Sequence, residues 1–165
     1  MAERLVTRHL VLRPLETGDA TGLHAFFSDP EAMRMWGPVH ADVARTQAWV
    51  EAALSGARDQ TLEYAILRNG EAIGRAGIWR AGEIGFFLRR DCWGQGLMRE
   101  ALGALLPQFF DRLGLTRIVA DVDASNLASM RVLTSLGFVE TGREAAALEV
   151  NGEMTDSVYF ALDRS

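Results

Sequence analysis

A chain of 165 residues with 48% hydrophobic and 24% charged residues has the proportions of an ordinary globular domain with a core of its own. Its formal net charge of −5 gives no reason to expect nucleic-acid binding and only a slight bias towards cationic partners. Cys92 is alone, which excludes an intrachain disulfide. His9, His24 and His40 are scattered without zinc spacing, so no metal is expected, and no apolar run has the length of a signal core or a membrane span. The expectation is therefore a single cytoplasmic domain over residues 1–165 that binds no membrane.

In chain order, "RHLVLRPL" alternates apolar and polar residues as a half-buried strand does. Thr17-Gly18-Asp19 starts a helix with Leu23, Phe26 and Phe27 on one face, and "SDPEAMRMWGP" reads as a turn with a short helix. A further helix over about Ala41 to Leu54 buries Trp49, Val50, Ala53 and Leu54, with Gly56 as its stop. The run "LEYAILRNGEAIGRAGIWRAGEIGFFL" predicts three antiparallel strands, turned at Asn69-Gly70 and Ala81-Gly82. A long helix from about Leu97 to Leu113 follows, its stripe formed by Met98, Ala101, Leu102, Leu105 and Phe109. Pro107 inside it predicts a kink at a cost of about 3 kcal/mol. "TRIVADVD" is a strand, "SNLASMRVLTSL" a helix stopped by Gly137, and the remainder forms two strands joined at Asn151-Gly152. The order is α+β: a mixed, mostly antiparallel seven-stranded sheet with about four helices.

Gly94-Gln95-Gly96 comes shortly after the strand "EIGFFL" and opens the long helix. Two glycines one residue apart suit a tight turn. The N–H groups from Gly94 to Met98 would then converge on an anion, helped by the helix dipole. The dinucleotide pattern fails at Arg99, and no phosphate-loop Gly-Lys-Ser/Thr is present, so a turn without a ligand stands as the alternative. Asn126, Ser129 and Leu133 share one face of the last helix. The plain alternative is a cap, with Ser125 or Asn126 satisfying free N–H groups at the start of the helix.

Taken together, "EIGFFLRRDCWGQGLMREAL", "NLASMRVLTSLGF", the opening "RHLVLRPL", "SDPEAMRMW" and the closing "NGEMTDSVYFAL" resemble the GCN5-related N-acetyltransferases (GNAT), in the branch of the ribosomal-protein-alanine acetyltransferases (RimJ/RimL-like). The resemblance implies a V-shaped splay between the fourth and fifth strands, "EIGFFL" and "TRIVADVD", that holds acetyl-CoA as co-substrate. Main-chain groups at Phe86, Phe87 and Leu88 would bond the acetyl and pantetheine arm. The pyrophosphate would lie on Gly94, Gln95, Gly96, Leu97, Met98 and Arg99. Asn126 would bond the pantetheine, and Phe138 would pack nearby. The acceptor pocket would include Trp36, Trp49 and the Asn151-Gly152 region.

The chain departs from the family pattern at several positions. Asp91 and Gln95 stand where basic or amide residues are common, so backbone donors carry more of the phosphate binding, with Arg89, Arg90 or Arg99 as sources of charge. Thr134-Ser135 replaces a Glu-Lys pair. Leu133 occupies the place of a proton-donating tyrosine, so Ser129 inherits the role beside the sulfur.

Cys92 sits in the turn with no histidine base, so direct attack by a primary amine is expected, on a peptide N-terminus or a small molecule. Glu83, on the cofactor strand, is the candidate base, ahead of Glu100. A non-catalytic acyl-CoA-binding sensor or interaction module on the same fold is the rival reading. Nothing in the sequence chooses between a monomer and a homodimer.

Overall fold

The computed structural model describes residues 3–165. Strands β1 (Leu5–Val6), β2 (Val11–Pro14), β3 (Leu62–Arg68), β4 (Glu71–Arg80), β5 (Glu83–Leu88), β6 (Arg117–Asp123), β7 (Val139–Val150) and β8 (Glu153–Asp163) form one sheet in the order β1-β2-β3-β4-β5-β6-β8-β7. Five α-helices accompany it: α1 (Ala20–Phe27), α2 (Pro30–Met33), α3 (Val43–Leu54), α4 (Leu97–Leu113) and α5 (Leu127–Ser135). The sheet has eight strands where seven were expected. Leu5 and Val6 pair with Leu12 and Val11, and a two-residue strand is too short to show a period in sequence. The α+β class and the mostly antiparallel pairing are as expected.

Each sheet face carries its own core. On one face α4 and α5 cover Leu12, Ile66, Ile73, Ile78, Ile84 and Ile118. On the other α1 to α3 cover Leu15, Ala65, Leu67 and Phe87. The predicted α4 stripe is buried in full, together with Leu97, Leu106 and Phe110. Burying one large apolar side chain is worth about 1.5–3 kcal/mol. Eight buried residues on α4 therefore outweigh the roughly 3 kcal/mol that Pro107 costs, and the helix runs unbroken to Leu113.

The two-residue turns behave as read. Asn69-Gly70, Ala81-Gly82 and Asn151-Gly152 all have positive φ at both positions, which is the type I′ geometry that matches strand twist. Gly56 has a different role from a helix stop. It has no left-handed φ, and a Cβ there would meet the Thr61 side chain at 2.7 Å, so it is small because the chain packs tightly. Leu54, expected in the core, is 41% exposed, because α3 turns its Thr46–Val50 face inward.

The feature that creates room for ligands lies between β5 and β6. These two strands are parallel, and Glu83↔Val119 is their one paired position, after which they diverge. No described helix is long and apolar enough to cross a membrane.

Candidate active site

The divergence of β5 and β6 opens two connected clefts. The smaller, about 350 Å³, runs from Phe86 and Leu88 past Gly94, Gly96, Leu97, Met98 and Arg99. The larger, about 620 Å³, lies under α3 and the β7–β8 hairpin. Met35, Trp36, Phe86, Asn126 and Ser129 line both.

The turn leading into α4 is built for backbone approach. Gly94 and Gly96 have φ of 71° and 75°, and a Cβ on either would point into open space. The glycines are therefore needed for their left-handed backbone, and the volume before them is free. Glu100 N–H donates to the Gly96 carbonyl at 3.1 Å, which begins the helical ladder and leaves the N–H groups of Leu97, Met98 and Arg99 without intrahelical partners. These donors at the head of a 17-residue helix suit a phosphate.

The arginines sort themselves by partner. Arg89 is engaged by Glu71 at 2.7 Å and Asp91 at 2.6 Å, and Arg90 by Asp29 at 2.9 Å. Arg99 and Arg131 line the smaller cleft without an ion-pair partner among the described residues. Gln95 does not line that cleft. Its amide is latched between the Arg68 guanidinium and the Asp91 carbonyl, each at 3.0 Å. Phe138 is likewise away from it, 2% exposed within the α4–α5 core. Cys92 lines the cleft as a buried residue, and burial pushes its thiol up.

Where the clefts meet, Asn126 caps α5: its Oδ1 accepts the Ser129 N–H at 3.1 Å. The cap leaves the Asn126 amide N–H groups available. The Ser129 hydroxyl has no hydrogen-bond partner among the described residues. Leu133, one turn further on, is fully buried and supplies no polar group.

Residues 9–139 match the acetyltransferase (GNAT) domain. The chain belongs to the GNAT family of acetyltransferases. It is 31% identical to the N-acetyltransferase p20 of Bacillus licheniformis, over 97% of this chain and 96% of that one. It is 27% identical to an L-methionine sulfoximine/L-methionine sulfone acetyltransferase of Pseudomonas paraeruginosa, over 92% and 93%. Among solved structures, RimL, a ribosomal L7/L12 alpha-N-protein acetyltransferase in complex with coenzyme A, superimposes with a TM-score of 0.85 at 24% identity over 98% of each chain. A Salmonella typhimurium acetyltransferase described as modifying the N-terminal serine of ribosomal protein L7/L12 gives 0.86 at 22% identity, over 99% and 100%. GNAT acetyltransferases use acetyl-CoA, and the smaller cleft offers what that molecule needs: backbone donors at a helix N-terminus, two cations and an open strand edge.

In the larger cleft this GNAT chain is acidic. Glu83, Asp121, Asp123 and Glu149 line it, together with the ion pair Glu63–Arg75 and the aromatic rings of Trp36, Trp49 and Trp79. Glu83, half-buried at the start of β5, lies 3.4 Å from Arg80. Glu100 is on neither cleft, being held by Thr7 and by the main chain and ring of His9. The β7–β8 tip contributes through its flanks, Leu148, Glu149, Val150 and Thr155. Asn151 itself bonds the Arg34 carbonyl at 3.5 Å, joining the hairpin to the segment after α2.

Sequence reasoning missed Arg131, Glu63, Arg75 and Asp121. Arg131 had a signal, because it lies on the same helix as Asn126 and Ser129. The other three stand on stretches read only as strands, with no role given to their side chains.

Proposed function

We propose that this protein acetylates a primary amine by direct attack on acetyl-CoA. The observation that carries the reading is the pair of clefts with a shared wall. A cofactor thioester reaching Phe86 from one side and an amine arriving from the other would meet at Asn126 and Ser129. Leu97, Met98 and Arg99 would bind the pyrophosphate through their N–H groups, and Phe86 to Leu88 the pantetheine along the open edge of β5.

The acceptor nitrogen forms a bond to the thioester carbonyl carbon as the carbon–sulfur bond breaks. The proton shed by nitrogen goes to a carboxylate, for which Glu83 is the candidate, through water. The sulfur leaves as a thiolate and takes a proton from, or is stabilised by, the Ser129 hydroxyl. Cys92 has no part as a nucleophile, because it is buried on the cofactor side with a raised thiol.

The relatives support a primary amine: two structural neighbours are described as acting on protein N-termini, and one sequence relative on amino-acid derivatives. The test is coenzyme A release with a panel of peptides of varied N-terminal residue, free amino acids, polyamines and amino-sugar antibiotics. Release with at least one class is expected. Tight acetyl-CoA binding with no release on any of them would favour a non-catalytic acyl-CoA sensor.

A further inference from the structure

The larger cleft has an ion pair in its wall that the transfer step does not use. Glu63 on β3 and Arg75 on β4 have side chains only 4% exposed. Arg75 Nε and Nη2 donate to the two oxygens of Glu63, each at 2.5 Å. The third nitrogen, Nη1, has no hydrogen-bond partner among the described residues. It lies against Gly85, where a Cβ would be 2.5 Å away. Gly77 stands in the same relation to the Glu63 carboxylate, and the Trp49 ring lies 5.5 Å from the guanidinium carbon. The guanidinium is thus clamped along one edge and covered on a face. Its remaining donor sits beside Gly85, one residue before Phe86, at the point where β5 leaves β6.

A second unmet group stands across the opening. Asp121 Oδ1 is shielded from water and has no hydrogen-bond partner. Gly85 and Asp121 line the same cleft, one on each of the two diverging strands. A donor and an acceptor therefore flank the splay next to the wall shared by the two clefts. The Glu63–Arg75 pair has no net charge, so it offers hydrogen bonds without repelling an ammonium. Polar groups left without a partner in a cleft wall gain when an occupant supplies one.

We propose that Arg75, oriented by Glu63, determines acceptor specificity by donating from Nη1 to an oxygen on the carbon next to the one that bears the amine. The acceptor is then an α-aminoacyl group, which carries an ammonium donor for Asp121 and a carbonyl or carboxylate acceptor for Arg75. A free amino acid and a peptide N-terminus share this chemistry. A diamine or polyamine offers donors only and leaves Nη1 unmet. The inference rests on the amine-acetylation reading above.

The test compares alanine, alaninamide, an alanine-led tetrapeptide and ethylamine on the intact protein, with kcat/KM expressed per unprotonated amine. The carbonyl-bearing acceptors are expected to exceed ethylamine by about tenfold or more, the size of one hydrogen bond to a charged group. Whether alanine or the tetrapeptide leads identifies the source of the aminoacyl group.

The double variant Glu63→Met/Arg75→Met replaces the pair by apolar side chains, a change that buried pairs often tolerate. An unchanged melting transition and acetyl-CoA Kd check that it is folded. In it the ratio between alaninamide and ethylamine should fall towards one, through KM. Arg75→Lys keeps the charge without the forked donor, and should lower the same ratio. Equal use of ethylamine by the parent, or a preference that survives in these variants, would overturn the inference. If no amine at all is acetylated while acetyl-CoA binds, the amine-transfer reading fails first and takes the inference with it.

Discussion

The Asn126 side chain holds the Ser129 main chain, through a 3.1 Å bond from the Ser129 N–H to Oδ1, and the Ser129 hydroxyl is left unbonded at the junction of the two clefts. Cap and candidate proton donor are therefore mechanically linked. Ser129→Ala removes the hydroxyl and leaves the cap intact. It is expected to lower kcat by roughly 10- to 1000-fold with little change in acetyl-CoA affinity. Single-turnover rates check this, since they exclude product release, and a parental rate would reduce Ser129 to a helix residue.

Asn126→Ala should act differently. It removes the α5 cap, at a cost of about 1 kcal/mol in stability, and it also takes away amide donors facing the pantetheine route. A lower melting temperature and weaker acetyl-CoA binding are both expected. Calorimetry showing the stability loss alone would confine Asn126 to capping.

Gly96 has a left-handed φ of 75° immediately before α4. Gly96→Val should cost about 1–2 kcal/mol or more for that conformation and crowd the open volume before the helix. Acetyl-CoA affinity should fall well beyond what Gly96→Ala produces. Equal affinities for the two variants, measured on folded protein, would show that the turn does not face the pyrophosphate.

Glu83→Gln is expected to reduce turnover most at pH values where the acceptor amine is largely protonated, and to leave acetyl-CoA binding alone. A pH–rate profile that overlays the parent's would move the proton-accepting role to another carboxylate of the acidic cleft, such as Asp121.

A buried hydroxyl held between two histidines predicts acid sensitivity. Thr46 is fully buried, with its hydroxyl between His24 Nδ1 at 2.8 Å and His40 Nδ1 at 2.9 Å, and the His40 ring stacks on Phe27 at 4.4 Å. Burial first, then the charges of Arg45 and His24, hold His40 below the usual histidine range. A histidine with a lowered folded pKa binds its proton more readily when unfolded. Its contribution to stability is thus present above the unfolded value of about 6.5 and is lost as pH falls below it. Melting temperature should drop between neutral pH and pH 5, and His40→Phe should flatten that part of the profile.

What the sequence made legible was local. The Gly94 and Gly96 pair, the three type I′ turns and the Asn126 cap depend on residues close together in the chain, and the structure has them as read. The apolar stripe of α4 was equally plain, because one helix period repeats across 17 residues. The acidic cleft was hidden for the opposite reason. Glu63 and Arg75 meet across two strands, and Asp121 joins their cleft only once a parallel crossover sets β6 beside β5. Phe138 illustrates the remaining gap. Position in a motif does not say which way a side chain turns, and this ring is packed in the core.

The wall common to both clefts has a consequence for inhibition. Because Met35, Trp36, Phe86, Asn126 and Ser129 face both occupants, a molecule joining coenzyme A through its sulfur to an amine-bearing group would fill the two sites together. Binding of its second half becomes intramolecular, with an effective concentration on the order of millimolar when the tether is short. Such a bisubstrate compound should compete with each substrate separately and bind more tightly than either half, and the length of its best tether would measure the thickness of that wall in solution.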